Sequence, residues 1–280
     1  MSAGLGTRGS GPGHRIERAF AALRERGRTA LIPFITAGDP LPAATVALMH
    51  ALVETGADLI ELGMPFSDPM ADGPVIQHAD ERALRKRVGI REILAWVHEF
   101  RERDTDTPVV LMGYLNPIEI HGIAVFASEA TDAGVDGVLV VDCPIEEDAT
   151  LQPLRDAGLA RILLIAPTTS DARLARAIDV AEGYLYYVSF AGITGAAKLS
   201  TAHIAQRVGA LRQRARVPVV VGFGIKDAVS AKAVAAFADA VVIGSALVGT
   251  LADSANADDA CRRARGFLAP VRAALDSIGG

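Results

Sequence analysis

Glu61 stands inside an apolar run, Ile60-Glu61-Leu62-Gly63. An ionised carboxylate there is costly unless something compensates it. Two readings fit: an acid paired to a neighbouring strand, or a carboxyl whose ionisation is held back so that it can transfer a proton. The loop that follows, Met64 to Pro74, carries three prolines, one glycine and two carboxylates, Asp68 and Asp72. Such compositions are often plain turns. This loop, however, is long, partly apolar and leaves the same run as Glu61, so Asp72 is a candidate second carboxyl. Two carboxyls can give one proton while taking another. The spacing alone is a weak signal.

Three glycine-bearing segments form the other half of a site. Ser189-Phe190-Ala191-Gly192-Ile193-Thr194-Gly195 follows the apolar run YLYYVS (184–189). It reads as a mobile loop that exposes backbone, of the kind that closes over substrates. Gly222-Phe223-Gly224 and Ile243-Gly244-Ser245 end two later runs. Glycines there expose N–H groups, and a helix start after the second adds more, so together they can hold a phosphate. Tyr184 and Tyr186 share one parity of their run. If that face points inward, Tyr186 reaches the site; a purely structural aromatic pair is the other reading. The six histidines are dispersed without metal-ligand spacing. Cys143 reads as a small buried thiol, and neither Lys198 nor Lys226 lies within a run, which argues against Schiff-base chemistry.

The elements that must position these residues are visible as alternation. Eight short apolar runs (29–38, 57–63, 108–114, 136–142, 161–167, 184–189, 217–224 and 238–246) alternate with longer amphipathic stretches rich in Ala, Arg and Glu. Gly56, Gly134 and Gly158 each stand just before a run, where a helix ends in a left-handed turn. Eight strands with a helix after each imply an α/β protein: a single-domain (β/α)8 TIM barrel with its site at the carboxyl ends of the strands. An open, doubly wound sheet competes, but no GxGxxG follows the first run. Residues 14–26 form an extra N-terminal helix, expected to plug the lower face. Residues 1–13, rich in glycine and without an apolar core, read as a disordered tail ahead of a catalytic domain over 14–280.

The 280 residues carry 28 Lys plus Arg and 33 Asp plus Glu, a net charge of -5, which offers no basic field for nucleic acid. The cluster Arg82, Arg85, Lys86, Arg87 reads as a solvated helix face. No apolar run approaches the roughly 20 residues that span a bilayer, and two cysteines make no disulfide scaffold. The cytoplasm is the default location.

The segments LIPFITAGDP, DLIELGMPFSDPMADGPVIQ, LMGYLNPI, GVDGVLVVDCP, YYVSFAGITG and VGFGIK resemble the tryptophan synthase alpha chain family, from about His14 to the last helix. The resemblance implies a lyase of L-tryptophan biosynthesis that cleaves indole-3-glycerol phosphate to indole and D-glyceraldehyde 3-phosphate. It implies Glu61, Asp72 and Tyr186 as catalytic residues. Glu61 would protonate C3 of the indole ring and help take the glycerol hydroxyl proton, and Asp72 would stabilise the ring N–H. Phe34, Thr194 and Phe223 would surround the substrate, with Gly195, Gly224, Gly244 and Ser245 as the phosphate cradle. No metal or cofactor is implied in this chain. Pyridoxal phosphate belongs to a beta chain, the partner in an α2β2 complex, which the loop Pro65 to Met70 and Asn116-Pro117 would contact. The sequence departs from the family at Val141, where alanine is common, and at Phe190. A stand-alone indole-3-glycerol phosphate lyase and a non-enzymatic phosphate-binding barrel remain as alternatives.

Overall fold

The computed structural model describes residues 14–188, 201–222 and 224–278. Helix α1 (His14–Glu25) precedes β1 (Ala30–Thr36), α2 (Thr45–Glu54), β2 (Ile60–Gly63), α3 (Pro74–Arg85) and α4 (Ile90–Arg101). Next come β3 (Val109–Gly113), α5 (Leu115–His121), α6 (Ile123–Ala133), β4 (Gly137–Val140), α7 (Gln152–Asp156) and β5 (Ala160–Ile165). The chain continues through α8 (Asp171–Val180), β6 (Leu185–Val188), α9 (Thr201–Arg214), β7 (Val219–Gly222) and α10 (Ala228–Ala235). It finishes with β8 (Ala240–Ile243), α11 (Ser245–Leu251) and α12 (Ala257–Asp276). All neighbours in the sheet are parallel, and β8 pairs back to β1, closing the barrel. The tail expected over 1–13 lies outside the described residues.

Strand alternation divides the core in two. Ile32, Phe34, Val110, Leu139, Tyr186 and Val220 share one parity of their strands and fill the barrel interior. Leu31, Ile35, Leu111, Val138, Leu163 and Val221 take the other parity and pack beneath the helices. Both faces of most strands are therefore apolar, which is why the runs read as nearly continuous hydrophobicity; β2, whose inward face carries Glu61, is the exception. Gly56, Gly134 and Gly158 take the left-handed backbone expected of them, with φ of 98°, 89° and 83°.

Helix α1 closes the amino-terminal face. Its Ile16, Phe20 and Leu23 join the inner core, and the Phe20 ring lies 6.1 Å from that of Tyr184. Around that face runs a repeated device. Asp58, Asp136, Glu182 and Asp239 each stand just before an even-numbered strand. They accept the backbone N–H of Leu31, Val109, Arg161 and Val219 in the preceding odd strand, at 2.8, 2.8, 3.0 and 2.8 Å. Each also meets an arginine, respectively Arg272, Arg101, Arg155 and Arg212, at 3.1, 2.8, 3.1 and 2.7 Å. The basic cluster on α3 is only partly a solvated face. Arg85, Lys86 and Arg87 are exposed, but Arg82 turns inward to form a two-pronged pair with the buried Asp39, at 2.7 and 2.9 Å.

Candidate active site

Strand β2 carries Glu61 on its inward parity, between Phe34 of β1 and Val110 of β3 in the sheet register. Its side chain is wholly removed from solvent, at 0% exposure. Tyr184, immediately before β6, donates its hydroxyl to Glu61 Oε1 at 2.6 Å, and Oε2 has no hydrogen-bond partner among the described residues. No cation pairs with it there. Burial disfavours the anion and pushes this carboxyl up from 4.5 to about 7, against the smaller opposing pull of the Tyr184 hydrogen bond. Both protonation states are thus accessible near neutrality, which is the condition for a group that must give a proton and recover it.

The loop after β2 brings Asp72 back over the mouth. Tyr114, just past β3, donates to Asp72 Oδ2 at 2.7 Å and accepts the Ala71 N–H at 3.0 Å. The Phe66 ring lies 5.1 Å from the Tyr114 ring at 30°, and Gln77 of α3 donates to the Asp72 carbonyl at 2.8 Å. Asp72 is half-buried, and desolvation raises its carboxyl above the ordinary range, with Tyr114 pulling the other way. Burial, then the hydrogen bond to Asp72 and the charge of that acid, push the Tyr114 hydroxyl well up, so it stays a donor.

Tyr186 crosses the mouth because β7 ends in glycine. A Cβ on Gly222 would lie 2.1 Å from the Tyr186 hydroxyl oxygen. The ring is buried, and its hydroxyl is pushed well above 10 by burial first and then by the charges of Glu61 and Asp72. The parity argument placed both tyrosines on one inward face. The structure gives the direct bond to Glu61 to Tyr184, while Tyr186 lines the same cavity as Asp72.

A cavity of about 520 Å³ opens here, lined by Asp72, Met112, Val141, Leu164, Tyr186 and Val188. It continues between β4 and β5, whose pairing ends at Leu139 and Ile162. Glu61 is not among the residues that line it. Phe34 reaches across toward Gly63, where a Cβ would meet its ring at 2.5 Å, and it also packs beside Gly244. Gly244 precedes α11 and Ser245 is its exposed first residue, while Gly224 is exposed with φ 45°. These three end their strands at the same carboxyl-terminal face but are not among the residues that line the cavity. Thr194, Gly195 and Phe223 lie outside the described residues.

Sequence reasoning missed the roles of Tyr184 and Tyr114. The shared parity with Tyr186 was the available signal for the first, and the end of the run PVVLMGY for the second. Cys143 is buried as expected, as is Cys261. Among the described residues no group of three His, Cys, Asp or Glu is placed to hold a metal, and no helix is long and apolar enough to cross a membrane.

Comparison with known proteins converges on one family. The profile of the tryptophan synthase alpha chain matches residues 20–273. The tryptophan synthase alpha chain of Xylella fastidiosa (strain 9a5c) is 59% identical over 266 residues, which cover 95% of this chain and 99% of that one. That of Xanthomonas euvesicatoria pv. vesicatoria is 61% identical over 264 residues, covering 94% and 98%. Among solved structures, the tryptophan synthase subunit alpha of Legionella pneumophila superposes with a TM-score of 0.88 at 43% identity, over 94% of this chain and 98% of that one.

Proposed function

This chain belongs to the tryptophan synthase alpha chain family, which cleaves indole-3-glycerol phosphate by a retro-aldol reaction, and we propose that Glu61, Asp72 and Tyr186 carry that cleavage within a catalytic domain over 14–280. The bond to an indole carbon resists breaking while the ring stays aromatic. In its neutral form Glu61 donates a proton to C3, which makes the ring a cationic electron sink. Asp72 accepts a hydrogen bond from the ring N–H and stabilises that charge. As the C–C bond breaks, the electron pair returns to the ring. The glycerol hydroxyl then gives its proton to the Glu61 carboxylate, releasing indole and D-glyceraldehyde 3-phosphate with no net change in protons. Tyr184 occupies Oε1 of Glu61 and leaves Oε2 for the transfer. Tyr186, held protonated by its burial and by the charges of both acids, orients the ring.

The observation that carries this reading is the wholly buried Glu61 carboxyl, raised to about 7 and without a cationic partner among the described residues. Phe34, Thr194 and Phe223 are assigned to the substrate. The backbone at Gly195, Gly224, Gly244 and Ser245 is assigned to its phosphate, as expected of N–H groups at strand ends and a helix start. The chemistry calls for no metal or organic cofactor in this chain. Indole release by Glu61→Ala tests the assignment: a loss of about 10² to 10⁴-fold with unchanged circular dichroism supports it, and wild-type turnover refutes it.

The partner reading is a beta chain carrying pyridoxal phosphate, in an α2β2 complex. It is supported by the apolar loop Pro65 to Met70 and its neighbour Asn116-Pro117, where Met70 and Ile120 are 83% and 80% exposed. Sedimentation of the chain with a beta chain, against the same mixture containing Met70→Asp and Ile120→Asp, tests it. The substituted chain is expected to sediment alone.

A further inference from the structure

Strands β4 and β5 part at their carboxyl ends. The chain leaving β4 stays with β3, where the Val141 N–H bonds the Gly113 carbonyl at 2.8 Å, while β5 stays with β6 as far as Ile165. Between β4 and β5 themselves the pairing stops at Leu139 and Ile162. The cavity of about 520 Å³ passes through this opening, because residues from both faces of the sheet line it. Val141, Leu164 and Tyr186 belong to the barrel interior, whereas Cys143, Ile145, Leu163 and Ala177 belong to the core beneath the helices. Those four are each no more than 8% exposed, so the rear branch of the cavity is walled by apolar side chains. The two arginines that line the cavity, Arg161 and Arg173, are committed to Asp148 and Glu146.

The placement of the substrate aims its ring at this opening. The phosphate is assigned to Gly224 and Gly244, after β7 and β8, and the ring N–H to Asp72. In a closed ring of eight strands β4 stands opposite β8, and β5 opposite β1. The ring therefore lies across the barrel from its phosphate, with the outer edge of its benzo half, C5 and C6, toward β4 and β5. We infer that the opening between β4 and β5 is a specificity pocket for an apolar substituent on that edge: the chain takes indole-3-glycerol phosphates that carry a methyl or a halogen at C5 or C6. Such a group leaves water for the side chains of Ile145, Leu163 and Ala177, which favours binding. A charged group would find the arginines already paired. The inference rests on the positions given above for the phosphate and the ring N–H.

The test compares kcat/KM for cleavage of the unsubstituted, 5-methyl and 6-methyl substrates. In the wild-type chain at least one methylated substrate is expected to match or exceed the unsubstituted one, since a methyl seated in an apolar pocket is worth about tenfold. Ala177→Leu, on α8, and Cys143→Leu, after β4, fill the rear branch from two different walls and alter no group assigned to the chemistry. Each is expected to keep kcat/KM for the unsubstituted substrate and to lower that for the favoured methylated one by about tenfold or more. Loss of folded protein alone does not move this ratio. Two methylated substrates that are both poorer than the unsubstituted one in wild type, or a ratio that the variants leave unchanged, overturn the inference. If one variant does not fold the other decides, and if neither folds the wild-type comparison decides. Failure of the underlying assignment reads differently: Asp72→Ala would then cleave the unsubstituted substrate at the wild-type rate, whatever the methyl ratios.

Discussion

At the amino-terminal face of the barrel, Asp58, Asp136, Glu182 and Asp239 each bond a strand N–H and an arginine. At the opposite face, Glu61 and Asp72 make no ion pair among the described residues and bond tyrosine hydroxyls instead. The same residue types thus serve two ends with different partners. An arginine cannot lose its proton in this range and fixes its acid as an anion. A tyrosine hydroxyl is neutral, so it orients a carboxyl while leaving burial free to raise it. Burial raises Asp58 and Asp136 too, and it is the arginines, with backbone N–H groups, that oppose it. The partner, more than depth, separates an acid that holds strands together from one that can move protons.

The largest effect that breaks this comparison is Glu61→Gln. Activity is expected to fall about 10² to 10⁴-fold, while stability moves the other way. The folded carboxyl is raised from 4.5 to about 7, so the folded state holds its proton more tightly than the unfolded one. Its stabilising share is complete below about pH 4.5 and is lost as pH climbs through 7, a change of about 3 kcal/mol. Glutamine has no such loss. Thermal melts of the two proteins should therefore diverge from pH 5 to pH 8, with the variant melting higher at pH 8. Parallel curves would mean that the wild-type carboxyl is not held in its neutral form by burial.

Asp136→Ala probes the other end. It leaves Arg15 and Arg101 facing a wholly buried gap and strands the Val109 N–H. A cost of about 3–5 kcal/mol is expected, since breaking a buried pair leaves an uncompensated charge. Urea unfolding measures it. Turnover per folded molecule should be unchanged; a matching fall in kcat would show that the two faces are coupled.

Gly222→Ala touches the mouth without touching an acid. The added methyl meets the Tyr186 hydroxyl at 2.1 Å and must displace the ring. Stability should fall by about 1–3 kcal/mol from overpacking, and kcat by about tenfold or more from the lost geometry. Unchanged kcat would remove Tyr186 from the catalytic group.

The sequence made the barrel legible through its eight runs, because each strand is covered on both faces and the helices before β2, β4 and β5 end on a punctuating glycine. It also made Glu61 legible, since a charge within Ile60-Glu61-Leu62 has few ways to be tolerated. What it did not reveal were partners. Tyr184 lies 123 residues from the carboxyl it bonds, and Asp72 lies 42 from Tyr114. Only closure of the sheet brings β6 opposite β2, and no local periodicity encodes that. The acid before each even strand was hidden for a similar reason: in sequence Asp58 and Asp136 look like ordinary loop carboxylates, and their arginines arrive from α12 and α4. The cluster on α3 misled because Arg82 shares a helix face with exposed cations yet points to Asp39.

The smallest effect refines the comparison within the lower face itself. Asp239 makes the same two bonds as Asp136, to the Val219 N–H and to Arg212, but its side chain is 28% exposed where that of Asp136 is 0%. Water can replace what Asp239→Ala removes, and Arg212 keeps its hydration. The cost should therefore be only about 1 kcal/mol, the value of one hydrogen bond and a screened pair. It should shrink further in 1 M salt, where the Debye length is about 3 Å. Equal urea midpoints for Asp239→Ala and Asp136→Ala would show that burial does not set the strength of these bonds, and the contrast drawn between the two faces would then have to rest on partner identity alone.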